Sequence, residues 1–265
     1  MTDHSARIDP TKPSIARVYD YLLGGTDNFP VDREVGDFFL RELPGSVAIA
    51  FAARRALVRA VGAMAGDGIR QFLDLGSGLP TAENVHQVAH RHRADARVVY
   101  VDNDPTVLAH GRALLAADPR TALVEADLLE PERLLDDPDV RRLIDFGRPV
   151  GLVLSAVLHH FEDSERPAGL VRWWAERLPP GSLVYISHFR SGGNEETGLL
   201  ERKLQESFGR GRWRTDEEIL GLFGDLELLE PGLVPCPLWR PEPAAGEGDL
   251  SVWERLISCA LARKR

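Results

Sequence analysis

The chain has 265 residues, 43% hydrophobic and 28% charged, which is material for one large or two small packed domains and argues against a disordered chain. A formal charge of −9 argues against broad electrostatic binding of nucleic acid, and the longest apolar runs are only strand-length, so no membrane span is expected. Two cysteines, Cys236 and Cys259, lie outside any metal-type spacing, and the first residues lack an apolar signal core; a cytoplasmic chain without a disulfide framework is expected.

In chain order, Ser14 reads as the N-cap of a helix over 14–23. That helix breaks at Gly24-Gly25 and runs into Thr26, Asp27 and Asn28, with Tyr19 and Tyr21 just ahead, a composition suited to a loop that closes over something. Helices are predicted over 32–41 and 47–65, separated by Pro44-Gly45. From residue 69 the pattern changes to uniformly apolar strands alternating with helices. The strands fall within 69–78, 96–104, 121–128, 149–160 and 181–189. The helices fall over 81–92, 106–117, 164–177 and, more weakly, 138–144. Helices over 195–208 and 216–223 follow, then strand candidates over 226–229 and 250–262 that can end the sheet as an antiparallel edge. The Pro/Gly-rich stretch 237–249 reads as a loop. Such alternation predicts a mostly parallel sheet covered on both faces, one doubly wound domain over 66–265, preceded by a helical segment over 1–65.

Ligands of such sheets sit beyond the carboxyl ends of the strands. The first strand ends in Asp74-Leu75-Gly76-Ser77-Gly78, a glycine turn preceded by an acid. A dinucleotide fingerprint requires GxGxxG, and here Thr81 holds the sixth position; a Tyr-x-x-x-Lys pair is also missing, which disfavours a nicotinamide oxidoreductase. S-adenosylmethionine asks instead for an acid before the glycines, a bend beside its methionine and ribose parts, and a carboxylate at the next strand end. Asp74 and Asp102 supply the acids, Asp102 for the ribose hydroxyls; Asp127 is placed for the adenine amino group, with Leu128 beside the ring. Each Asp alone can be a mere turn former. Their order along three strands is what points to this cofactor.

FLDLGSGLPT, VYVDND, EADL and LSAVLHHF resemble, in order, the motifs of class I S-adenosylmethionine-dependent methyltransferases, and PSIARVYDYLLGGTDNFPVD resembles the N-terminal signature of an actinobacterial S-adenosyl methyltransferase family of mostly unassigned substrate. One departure is Pro80 in place of the usual third glycine. The resemblance implies an α/β, Rossmann-like fold: a seven-stranded, mostly parallel sheet with helices on both faces, plus the N-terminal helical segment. It implies cofactor contacts from Asp74, Gly76, Ser77, Gly78, Asp102, Asn103, Asp127, Leu128 and Ser155. It further implies a lid over the methionine end, formed by Tyr19, Tyr21, Gly24, Gly25 and Asn28, with tyrosine faces toward the sulfonium and Asn28 toward the amino-acid portion.

For the methyl acceptor the residues say less. His159, at the end of the fourth strand, is the candidate base, since histidine titrates near neutral pH, although Leu-His-His also serves as a structural turn. His188 reads as a strand-end histidine near solvent, and Trp173 and Trp174 as packing residues. His86 and His90 have i,i+4 spacing but no third ligand, so no metal is expected. The expected function is methyl transfer to a small-molecule nucleophile; the alternative is a non-catalytic module that binds S-adenosylmethionine and regulates a partner. Oligomeric state is not legible.

Overall fold

Strands whose apolar runs do not alternate with polar residues bury both faces, and the computed structural model buries the centres of the inner parallel strands. It describes residues 8–80, 83–115, 118–191, 193, 195–241 and 250–265. Three helices come first: α1 (Ile15–Leu22), α2 (Pro30–Glu42) and α3 (Val47–Gly66). The alternating part follows as β1 (Gln71–Leu75), α4 (Val85–His92), β2 (Arg97–Asp102), α5 (Pro105–Leu115), β3 (Thr121–Glu125), α6 (Pro131–Asp136), α7 (Pro138–Leu143), β4 (Gly151–Ser155), α8 (Pro167–Arg177) and β5 (Leu183–Phe189). The chain then adds α9 (Glu195–Phe208), α10 (Asp216–Phe223), β6 (Glu227–Leu228), β7 (Val234–Pro235) and β8 (Ile257–Arg263).

The sheet runs β3-β2-β1-β4-β5-β8-β6. The first five strands are parallel, and β8 enters antiparallel between β5 and β6. These seven strands match the expected sheet; the two-residue β7, paired to the same β8, makes an eighth among the described residues. The period of two along each strand divides the core. Phe72, Val98, Tyr100, Val153 and Tyr185 point to one face, covered by α3 and α4. Leu73, Val99, Val101, Leu152 and Ile186 point to the other, covered by α7, α8 and α10. Each such fully buried side chain contributes about 1.5–3 kcal/mol. Trp174, fully buried, stacks on Phe146 on the second face, and Trp173 carries Arg177 over its ring, so both tryptophans pack as expected.

Local chemistry sets the helix ends. Ser14 Oγ accepts the Arg17 amide at the start of α1, Thr215 and Glu218 form a reciprocal cap on α10, and prolines open α2, α6, α7 and α8. Two boundaries differ from expectation, and one helix is added. The strand placed over 250–262 starts only at Ile257, because a 3-10 turn over Glu254–Leu256 precedes it. The helix placed over 164–177 starts at Pro167, after Arg166 takes a left-handed conformation. The weak helix at 138–144 is the second of a pair; α6, missed in the sequence, is a single proline-led stretch of six residues. Thr81, expected to open α4, and most of the predicted loop 237–249 lie outside the described residues.

The described residues of the segment 1–65 do not form a core of their own. Ala56, Ala60, Val61 and Met64 of α3 are completely buried in the core on one face of the sheet, while α1 and α2 pack mainly on each other and beside α3.

Candidate functional site

The turn after β1 depends on its glycines. Gly76 and Gly78 adopt φ of +75° and +66°, the left-handed region that penalises a side chain. A Cβ on Gly76 would lie 2.5 Å from Val157 Cγ2, so the turn is pressed against the chain leaving β4. A Cβ on Gly78 would meet nothing within 4 Å; that side of the turn is open to a ligand. The Gly76 and Ser77 amides donate to the Val101 carbonyl at 2.8 and 3.1 Å, which fixes the turn to β2.

Asp102 organises the neighbouring strand end. Its Oδ2 accepts the Gly78 amide at 2.8 Å, and its Oδ1 accepts the Asn103 and Asp104 amides at 2.9 Å each. Three bonds leave part of a carboxylate's acceptor capacity unused. Burial pushes the Asp102 carboxyl up, and the amide bonds hold it down. Asn103 beside it is exposed. Asp127 is exposed past β3; its Oδ1 accepts the Leu129 amide at 2.9 Å, so it forms a turn with one oxygen and keeps the other free, while Leu128 is buried beside it. Asp74 is only 4% exposed, and burial pushes its carboxyl up to about 7, against the field of Arg54 on α3.

Ser155 closes β4, with its Oγ 3.3 Å from Ser187 Oγ. The next residue, Ala156, has φ of +52°, a conformation uncommon outside glycine, and its amide donates to Ser187 Oγ at 2.9 Å. Sequence reasoning did not single out Ala156 or Ser187, because neither residue type signals a strained turn. The groups expected to bind the cofactor on β1, β2, β3 and β4 thus share one rim, at the carboxyl ends of four adjacent strands. Open backbone at Gly78 and unfilled carboxylate acceptors suit an adenosyl ligand that brings hydroxyls and an amine.

The N-terminal segment is fastened to this rim. Arg17, 3% exposed, pairs with Asp32 at 2.6 Å and donates to Thr106 Oγ1 at 3.1 Å, while Ser14 Oγ bonds Asp104 Oδ2. Asp27 lies 3.1 Å from His110 of α5. The predicted lid residues have partners of their own. The Tyr19 hydroxyl donates to the Ala50 carbonyl at 3.1 Å, and burial pushes it up to about 12. The Tyr21 hydroxyl donates to Asp37 at 2.7 Å, and the ring lies where a Cβ on Gly36 would stand, 2.3 Å away. The Asn28 amide donates to Asp20 and to the Gly25 carbonyl, at 3.1 and 3.0 Å. Gly24 has φ of +84°, and any Cβ on Gly25 would strike the Asp20 carboxylate. The loop is thereby built around Asp20, a residue the sequence did not single out.

Beyond β4 the polar groups are buried together. His159 is 3% exposed, with Nδ1 buried and unpartnered; burial first, then His160, His188 and Arg214, holds it well below the usual histidine range. Burial thus keeps this imidazole in its neutral form. His188 is completely buried rather than near solvent, because β8 and the 209–214 loop cover it. It lies at hydrogen-bond distance from the Phe189 carbonyl (2.7 Å) and from Arg214 (3.0 Å), and burial pushes it down to about 3. Arg214 also donates to the Leu158 and Phe161 carbonyls and to Asp163. The Phe189 ring stacks on Trp213 at 4.6 Å and meets the His159 edge at 4.4 Å. His86 and His90 bond the Tyr100 hydroxyl and the Ala96 carbonyl.

A family model described as S-adenosyl methyltransferase matches residues 1–265. A candidate methyltransferase from Thermobifida fusca YX is 46% identical over 99% of this chain and 97% of its own, with a TM-score of 0.92. A DUF574 family protein from Streptomyces avermitilis MA-4680 is 40% identical over 98% of this chain and all of its own, with a TM-score of 0.93. The N-methyltransferase NodS from Bradyrhizobium japonicum WM9, solved with S-adenosyl-L-homocysteine, is 13% identical over 94% of this chain and 98% of its own; its TM-score of 0.50 is a likeness of fold alone. None of the curated proteins matches the chain.

Proposed function

We infer that this chain, which belongs to the S-adenosyl methyltransferase family, transfers the methyl group of S-adenosylmethionine to a small-molecule nucleophile. S-adenosylmethionine, when bound, supplies a methyl group activated on a sulfonium. The chain's own task is to hold, orient and exclude water. In this reading Asp102 and Asn103 take the ribose, Asp127 and Leu128 the adenine, and the 76–78 turn with Asp74 and Ser155 the methionine side. Gly24, Gly25, Tyr21 and Asn28 act as the lid's frame, shaping it through their own bonds rather than by facing the sulfonium.

The observation that carries the small-molecule reading is the state of the arginine-rich run 210–214. Arg210 pairs with Glu165, Arg212 with Glu218 and Asp163, and Arg214 with Asp163. A run that would otherwise suit a phosphate backbone is neutralised within the fold, and beside it stand the aromatic faces of Phe189 and Trp213. Neutral His159 fits an acceptor that needs no strong base, such as a free amine or an already acidic hydroxyl.

Incubation with methyl-labelled S-adenosylmethionine and separated cell fractions tests the reading. Label is expected in the small-molecule fraction. Label confined to protein or RNA would overturn it.

A further inference from the structure

We propose that Arg54, on α3, is the ligand for the carboxylate at the amino-acid end of the cofactor. The proposal rests on the cofactor reading of the rim and adds a residue from outside the motifs. Arg54 reaches the underside of the glycine turn, where it lines one cavity together with Asp74, Ser77, Gly78 and Tyr100. A terminal nitrogen donates to the Glu83 carbonyl at the entry to α4, which holds the guanidinium in place. Its Nε is buried and has no partner, and Arg54 forms no ion pair among the described residues. By contrast, Arg17 on the same segment is fully paired. A partly buried cation without an anion is costly to keep.

Asp74 supplies the other half of the argument. It is 4% exposed, its carboxylate makes no hydrogen bond among the described residues, and it feels Arg54 as its principal opposing charge. The two groups thus offer one negative and one positive pole beside a turn whose Gly78 face is open. The amino-acid end of S-adenosylmethionine is a zwitterion with the matching poles: an ammonium for Asp74 and a carboxylate for Arg54. A guanidinium suits a carboxylate better than an ammonium would, because its planar donors meet two oxygens at once. Since α3 belongs to the N-terminal segment and Asp74 to β1, the same contact lets the cofactor join the two parts of the chain.

Calorimetry with S-adenosylhomocysteine and 5′-methylthioadenosine, which lacks the amino-acid end, separates this proposal from the rest of the site. Arg54→Met is expected to weaken S-adenosylhomocysteine about 10- to 100-fold, the range for losing a charge-assisted bond, and to leave methylthioadenosine within about twofold. Arg54→Lys should recover part of the loss. Equal weakening of both ligands, or of neither, would overturn the proposal. Should Arg54→Met not fold, the wild-type protein still decides: decarboxylated S-adenosylhomocysteine must bind at least about tenfold more weakly than the parent, and equal affinity refutes the assignment. Methylthioadenosine binding by the wild type reports the adenosine side alone, so a failure of that side is recognised separately.

Discussion

The two halves of the rim use polar side chains in opposite ways. At the ends of β2 and β3, the carboxylates bond backbone amides one or two residues away or at the next strand end, and keep acceptor capacity to spare: Asp102 with three amides, Asp127 with one; the Asp74 carboxylate on β1 bonds none among the described residues. Beyond β4, polar groups bond one another across long stretches of chain, as Arg214 does with His188, Asp163 and the Leu158 carbonyl. In the function proposed above, the first half receives the ligand. The second spends its polarity on holding the loop 209–214 over the sheet, and presents aromatic surface instead.

If that division is right, mutations in the two halves should separate binding from stability. The largest effect is expected at Arg214. Replacing it with Met leaves His188 and two buried carbonyls without their donor and should cost about 3 kcal/mol of stability; this is the low end for a broken buried pair because Asp163 remains exposed. Urea denaturation reads the loss, and affinity for S-adenosylhomocysteine should stay within about threefold. Next comes Asp102→Ala, with the reverse profile: affinity falls about 30- to 100-fold while stability drops by about 1 kcal/mol. A variant that lost stability and binding in equal measure at either site would erase the distinction.

The smallest effect is a pH dependence that sets the halves against each other. An unfolded histidine takes up a proton below about pH 6.5, whereas buried His159 and His188 do not, so stability falls as pH drops below 6.5. Asp74 acts with the opposite sign. Its folded carboxyl, near 7, keeps a proton that the unfolded chain gives up above about pH 4, so its contribution grows as pH falls through 7. Asp74→Asn should therefore steepen the acid loss between pH 6.5 and 5, by about 1 kcal/mol per pH unit. An unchanged slope would mean that Asp74 is ionised in the folded chain.

The same contrast explains what the sequence disclosed. The glycine turn, Asp102 and Asp127 are legible because each is a short local pattern whose backbone consequence is fixed by residue type. The alternation of apolar strands and helices announced the sheet for the same reason. Arg54 left no signature, being one of three arginines on an alanine-rich helix that meets the turn only after folding. The pairing of His188 with Arg214 links residues 26 positions apart, so His188 read as a solvent-side residue. The partners of Tyr21 and Asn28, Asp37 and Asp20, follow from helix packing that composition does not encode.

The position of β8 has a consequence for how the chain is made. Residues 257–263 supply the strand that pairs with all of β5 and also carries β6 and β7. During synthesis, every parallel strand leaves the ribosome before the partner of β5 does. A nascent chain therefore passes through a stage with one long apolar edge open, and such edges invite pairing between molecules. Chaperone protection, if this protein uses it, has its clearest task in the interval between the emergence of β5 and the arrival of the segment that seals it.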